Sequence, residues 1–147
     1  MLIKMELSRI LIRERQHEQL IELRELEPRG GEARTLPIVI GIVEAAAIGR
    51  RLEGVEPPRP MTHDLLWNVL DSLGATLDAI TINDLVDGAF IASLSVNKDD
   101  GTAVEIDARP SDALALGIAH QVPIFAEDHV IDRAVEPFHT DGDDYEL

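Results

Sequence analysis

The N-terminal part of the chain alternates apolar and polar residues with the two-residue period of β-strands. Between Leu2 and Arg13 the alternation changes phase after Ser8, which predicts a strand with a bulge or a twist. Residues 17–26 repeat the alternation after a short connection, so the two segments predict an antiparallel hairpin. A turn rich in proline and glycine then leads into LPIVIG, which predicts a third strand because β-branched residues dominate it.

Helical spacing replaces the alternation in the middle of the chain. The first predicted helix runs from Gly41 to Gly54, and three consecutive alanines let its axis approach a sheet closely. The proline-rich VEPPRPM segment is a connection, because each proline removes a backbone donor and fixes φ. We expect Thr62 to cap a second helix. Four aliphatic residues of that helix are predicted to form its buried stripe: Leu66, Val69, Leu70 and Leu73.

Strands return after Gly74. Residues 75–86 and 89–97 predict a hairpin, since Asp87-Gly88 is a strong signal for a two-residue turn, and AVEIDA predicts a further strand. Pro110 begins a helix that is apolar nearly all round and is therefore expected to be buried on several sides. PIFA predicts a short strand and residues 127–136 a short helix.

This order of elements predicts the fold class α+β. We expect a mixed or antiparallel sheet of hairpins packed with three to four helices in a single compact domain. That domain is assigned to residues 1–136. The remaining residues, 137–147, form an acidic segment that is expected to be disordered.

Composition narrows the chemistry. The 147 residues are 45% hydrophobic and include no cysteine, which excludes disulfides, thiolate metal sites and cysteine nucleophiles. Charged residues interrupt every apolar run before the roughly 18 residues of a membrane helix, so no membrane partner is expected. The N-terminus does not resemble a secretory signal, and we expect a cytoplasmic location.

The net charge of −15 disfavours nucleic acid as a partner, because polyanion-binding proteins usually carry a basic stripe. Its distribution is uneven. Residues 1–60 hold 10 acidic and 10 basic residues, whereas residues 61–125 hold 10 acidic and 2 basic ones. A locally positive N-terminal face is therefore compatible with the sequence, although the simplest interpretation of the net charge is solubility.

No nucleotide-binding, zincin or serine-hydrolase motif is present, so the candidate chemistry is carried by carboxylates and histidines. His63 and Asp64 lie in the first turn of the second helix, where free N–H groups favour an anion. A phosphate could dock there. Alternatively, Asp64 only supports the helix N-terminus while His63 packs beside Trp67.

A second candidate is the strand-to-helix corner that contains Asp107, Arg109, Ser111 and Asp112. It concentrates acid, base, hydroxyl and backbone donors, as functional corners often do. The structural alternative is an ion pair between Asp107 and Arg109 together with a serine or aspartate cap. Glu44 is equally ambiguous, since it either lines a site or only satisfies its helix dipole. The other histidines show no ligand spacing and are expected to be structural or exposed.

Three segments resemble the bifunctional nuclease family when they are taken together: LPIVIGIVEAAAI, GVEPPRPMTHDLLWNVL and EIDARPSDALALGIAHQVPIF. They occur in the family's order and spacing, and the resemblance covers roughly residues 1–133. It implies an α+β fold, a homodimer or larger homo-oligomer, and degradation of both DNA and RNA. The family blocks fall on seven candidate site residues: Glu44, His63, Asp64, Asp107, Arg109, Ser111 and Asp112.

The hypothesis built on this resemblance is hydrolysis of a phosphodiester by water activated on Mg²⁺ or Mn²⁺. The ion would lie between Asp107 and Asp112, with Glu44 or Asp64 as a further ligand. His63 would act as acid or base and Arg109 would neutralise the phosphate. Aromatic residues for stacking bases make up only 3% of the chain. Two alternatives therefore stand, a non-enzymatic oligomeric interaction module and a small-molecule or nucleotide-binding regulator without turnover.

Overall fold

The computed structural model describes residues 1–13, 15–134 and 144–146. These residues form eight strands and four α-helices, which confirms the α+β class. The elements are β1 Leu2–Arg13, β2 Glu18–Glu25, β3 Thr35–Gly41, α1 Ile42–Leu52, α2 Thr62–Ser72, β4 Ala75–Val86, β5 Ala89–Lys98, β6 Ala103–Ala108, α3 Pro110–Gly117, β7 Ile124–Glu127, α4 Asp128–Arg133 and β8 Asp144–Glu146. A 3₁₀ turn follows α3 at Ile118–His120.

The strands form one mixed sheet in the order β3-β2-β1-β7-β4-β5-β6, and β8 pairs with β1. The pairing of β4 with β7 is parallel and the other pairings are antiparallel. The predicted bulge in β1 is confirmed between Leu7 and Arg9. Asp87 and Gly88 both have positive φ, 50° and 79°, as a type I′ hairpin turn requires.

The core lies between the sheet and helices α1 and α3. Seven of the eight residues of α3 are buried, which confirms the prediction for this apolar helix. Gly117 permits its close approach, since a Cβ there would lie 2.6 Å from Ile80 Cδ1. Of the segment that was predicted to be disordered, residues 137–143 and 147 lie outside the described residues. Residues 144–146 form β8 and pair with β1, and the disorder of the segment stays a prediction.

The predicted buried stripe of α2 is wrong. No residue of α2 is fully buried. Trp67 and Leu70 pack against the core, whereas Leu66, Val69 and Leu73 are exposed. The helical period was predicted correctly, but it does not say which apolar side of a helix faces the sheet when aliphatic residues lie on both sides.

Candidate active site

Three helices begin close to one another, and each has an acidic residue at its third position: Glu44 in α1, Asp64 in α2 and Asp112 in α3. The first N–H groups of a helix have no partner within it, and they carry the positive end of the helix dipole. Carboxylates are stabilised there, and so are bound anions such as phosphate. The fold thus brings together three helix N-termini, each with a carboxylate in its first turn, from parts of the chain that are distant in sequence.

Hydrogen bonds connect these helix ends through Arg109, the N-cap residue of α3. Its Nε donates to Asp112 Oδ2 at 2.8 Å and its Nη1 donates to Glu44 Oε1 at 3.2 Å. His63 of α2 places Nε2 3.1 Å from Asp112 Oδ1. We call Glu44, His63, Arg109 and Asp112 the helix-end cluster. It joins four of the seven residues that the sequence proposed.

The ionisation state of Asp112 determines whether His63 donates or accepts the hydrogen bond between them. The bond from Arg109 lowers the pKa of Asp112, and the bond from His63 lowers it further. Asp112 is therefore a carboxylate near neutral pH and accepts a hydrogen bond from His63 Nε2. In the neutral imidazole the second ring nitrogen, Nδ1, is then a proton acceptor.

Arg109 is the accessible member of the cluster, because 63% of its side chain is exposed. His63, Glu44 and Asp112 are more buried. Asp112 also raises the pKa of Arg109, so the guanidinium keeps its charge throughout the physiological range. An anion arriving from solvent meets this fixed cation first, with the His63 ring nearby.

Asp64 bonds to residues outside the helix-end cluster, at the start of α2 and on α1. Its Oδ2 accepts the backbone N–H of Met61 at 3.0 Å, and its Oδ1 bonds to Arg51 Nη1. The Met61 bond is the main reason that the pKa of Asp64 is lowered, and Arg51 adds to it. Met61, rather than Thr62 as predicted, is the N-cap residue. The sequence did not single out Arg51, since no local motif marks it.

Trp67 stacks on a histidine other than the one predicted. Its ring centroid lies 3.5 Å from that of His120, with an angle of 6° between the planes. The expected packing of His63 beside Trp67 is replaced by the bond from His63 to Asp112. Burial, and secondarily the charge of Arg51, lowers the pKa of His120. His120 is therefore a neutral structural ring near neutral pH.

Asp107 and Ser111 do not join the helix-end cluster. Asp107 is exposed on β6 opposite Ser93, and Arg109 pairs with Asp112 and Glu44 instead of with Asp107. Ser111 is buried in the first turn of α3. Within residues 1–13, 15–134 and 144–146, no three histidines or acids form a group that could hold a metal ion. The structure therefore does not assemble Glu44, Asp107 and Asp112 as a metal site.

The fold and the cluster define an α+β domain with a histidine, carboxylate and arginine site at converging helix ends. The model of the bifunctional nuclease domain matches residues 26–139. The chain belongs to this family, as the resemblance of its three segments predicted. None of the helices in the described part of the chain is long and apolar enough to cross a bilayer.

Relatives of two kinds match the chain. "Uncharacterized protein MT1877" of Mycobacterium tuberculosis (strain CDC 1551 / Oshkosh) is 40% identical over 125 residues, which are 85% of this chain and 71% of the relative. "Bifunctional nuclease 2" of Arabidopsis thaliana is 26% identical over 67% of this chain and 31% of its own length. The protein of the same name from Oryza sativa subsp. japonica is 26% identical over 64% and 30%.

Proposed function

We propose that this domain hydrolyses phosphodiester bonds of DNA or RNA at the helix-end cluster. The observation that carries the proposal is the placement of Arg109, an exposed cation fixed by Glu44 and Asp112 beside His63. A fixed guanidinium next to an imidazole can bind a phosphate and move a proton. The family and its plant relatives named as nucleases support this reaction class.

Each residue of the cluster has a role in this mechanism. Arg109 binds a non-bridging phosphate oxygen and stabilises the charge that develops as water attacks phosphorus. His63 Nδ1 takes a proton from that water as the water oxygen bonds to phosphorus, the P–O bond to the leaving nucleoside breaks, and the leaving oxygen takes its proton from solvent. Asp112 orients the ring by accepting from Nε2 and stabilises the imidazolium that results. Glu44 fixes the other side of the Arg109 guanidinium.

A divalent ion does not fit the carboxylates that the sequence suggested for it. One oxygen of Glu44 and one of Asp112 are bonded to the Arg109 guanidinium, which places a positive charge between the two carboxylates. Asp107 does not complete the set in the described residues. The mechanism proposed here therefore relies on Arg109 and the helix ends for charge neutralisation, and uses no metal ion.

Cleavage of single-stranded and double-stranded DNA and RNA by pure protein, with Mg²⁺, Mn²⁺ or EDTA, tests the proposal. His63→Ala is expected to lower the rate by about 10²–10⁴-fold, the usual contribution of a positioned acid or base. His129→Ala is the matched control, since His129 pairs with Asp84 outside the cluster. Equal rates in the wild type and the folded His63→Ala protein would exclude His63 from the reaction.

The alternative is a non-enzymatic oligomeric module, and the exposed apolar side of α2 favours it. Four aliphatic side chains of this region are exposed: Leu65, Leu66, Val69 and Leu73. Such a contiguous helical face commonly packs against another chain. In a non-enzymatic module the helix-end cluster would be a structural network. Self-association through α2 does not by itself distinguish the two functions. It is also compatible with hydrolysis, so assembly and activity have to be measured separately.

Light scattering of wild type and Val69→Lys tests assembly through α2. We expect the wild type to be a homodimer or larger oligomer and Val69→Lys to shift toward the monomer, because a buried unpaired ammonium destabilises an interface. Val86→Lys is the control, since Val86 and Val69 are similarly exposed, 45% and 42%, on different elements. An unchanged mass for Val69→Lys, or an equal shift for both variants, would contradict the role of α2.

A further inference from the structure

A groove of about 660 Å³ opens beside the helix-end cluster. One wall is the edge strand β3, and the other is the turn that joins β4 to β5. Arg109, Pro110 and Ser111 close one end of the groove. Arg109 therefore belongs both to the cluster and to the groove, and a ligand in the groove lies against the cation that the proposed reaction uses.

The walls of the groove are mainly apolar. Val39, Ala89 and Phe90 are among the apolar residues that line them. Among the described residues that line it, Arg109 is the sole cation and Glu18 the sole anion. A ligand that matches this lining has one anionic group at the Arg109 end and a flat or apolar body along the groove.

Strand β3 adds hydrogen-bonding groups to this apolar lining. It pairs only with β2 in the described sheet, so one edge of its backbone is unpaired. Proline is tolerated in a strand where its nitrogen faces the unpaired edge, which places the N–H and C=O of Val39, two residues after Pro37, on that edge. These groups can bond to the polar edge of a nucleobase or to a sugar hydroxyl. Pro37 also interrupts the donor row that a long added peptide strand would need.

The charge of the chain limits the length of nucleic acid that fits here. A protein that follows a long polynucleotide neutralises several phosphates with lysine and arginine. This groove offers one cation, and residues 61–125 contain only 2 basic residues in a chain of net charge −15. Each further phosphate would lack a cation among the described residues that line the groove. The favourable ligand has one or two phosphates next to an unstacked base.

We propose that the groove binds a nucleoside adjacent to the phosphate held by Arg109, so that the substrate is a short single-stranded oligonucleotide. This rests on the proposed hydrolysis at the helix-end cluster. A dinucleoside monophosphate is the smallest complete ligand, with one base in the groove and its phosphate on Arg109. Duplexes are disfavoured because a base must first be unpaired and unstacked to enter the groove, which costs about a few kcal/mol.

Binding and hydrolysis are measured separately, so that the proposal for the groove and the proposal for the reaction can each be contradicted without the other. Binding uses the His63→Ala protein with a dinucleoside monophosphate, a single-stranded hexamer and a duplex of 20 base pairs. We expect the dinucleotide and the hexamer to bind within about threefold of each other, with a log–log salt slope near −0.7 for one neutralised phosphate. The duplex is expected to bind at least about tenfold more weakly.

Variants of Val39 test the location of the bound nucleoside. Val39→Glu places a negative charge in the groove and is expected to weaken dinucleotide binding about tenfold or more. Val39→Lys changes the size of the same side chain with the opposite charge, and it is expected to retain binding. Equal losses in both variants, with both folded, would indicate that the dinucleotide binds elsewhere and would overturn the proposal.

The combined outcomes distinguish the two proposals. Dinucleotide binding that is sensitive to Val39→Glu, without hydrolysis of any substrate, would support the groove and contradict the nuclease mechanism. The protein could hydrolyse its substrates but bind longer ones more tightly, with a salt slope that corresponds to several neutralised phosphates. That result would support the mechanism and overturn the proposal that the groove binds one nucleoside. Absence of dinucleotide binding, or binding of an extended peptide in its place, would also overturn the groove.

Discussion

Replacing Arg109 with glutamine is expected to lower phosphodiester hydrolysis by about 10²–10³-fold, the usual cost of removing one donor that stabilises transition-state charge. Arg109 is the accessible cation of the helix-end cluster, and its bonds to Glu44 and Asp112 fix its direction. Its exposed ion pairs contribute about 1 kcal/mol or less to folding. The loss of activity should therefore exceed any loss of stability, as measured by initial rates beside urea unfolding.

Two further substitutions separate charge from geometry at this position. Arg109→Lys keeps the charge but loses the planar fork that bonds to two carboxylates at once, so partial activity is expected. Arg133→Gln is the control, because Arg133 is similarly exposed and pairs with Asp84 away from the cluster. If Arg109→Gln lost several kcal/mol of unfolding free energy and little activity, Arg109 would be a structural residue instead.

The strands could be predicted from the sequence because their signals are local. The Asp87-Gly88 turn fixes the hairpin of β4 and β5, and the phase change after Ser8 marks the bulge of β1. These features depend on a few neighbouring residues whose backbone preferences agree with the fold. For the same reason, the burial of α3 follows from a sequence that is apolar nearly all round.

The partners within the site could not be predicted in the same way. An ion pair between Arg109 and Asp107 was the structural alternative, but the chain turns at Pro110 and Arg109 bonds to Glu44 and Asp112 instead. The contact from His63 to Asp112 joins two helices and has no local signal. The family resemblance assigned these residues to the family's sequence blocks, whereas their geometry depends on how three helices pack on the sheet.

Removing the carboxylate of Asp64 is expected to lower the free energy of unfolding by about 3 kcal/mol, since its loss leaves a buried arginine unpaired. The Arg51 side chain is 10% exposed, and its Nε has no hydrogen-bond partner within the described residues. Without Asp64, the guanidinium keeps a long contact from Nη2 to Leu116 O at 3.5 Å. Urea unfolding of Asp64→Ala, with the exposed Asp71→Ala as control, measures the loss.

Lowering the pH is expected to reduce the contribution of Asp64 to the free energy of unfolding. The folded state lowers the pKa of Asp64 below its ordinary value of 3.8. Its stabilisation is therefore fully present above that value and is lost as the pH falls through the lowered pKa. The difference in unfolding free energy between wild type and Asp64→Asn should accordingly be constant near neutral pH and shrink in acid.

Adding Arg51→Met to Asp64→Ala should recover part of the loss, because the unpaired charge is then removed. A double variant no more stable than Asp64→Ala would show that Asp64 acts mainly through its bond to the Met61 N–H.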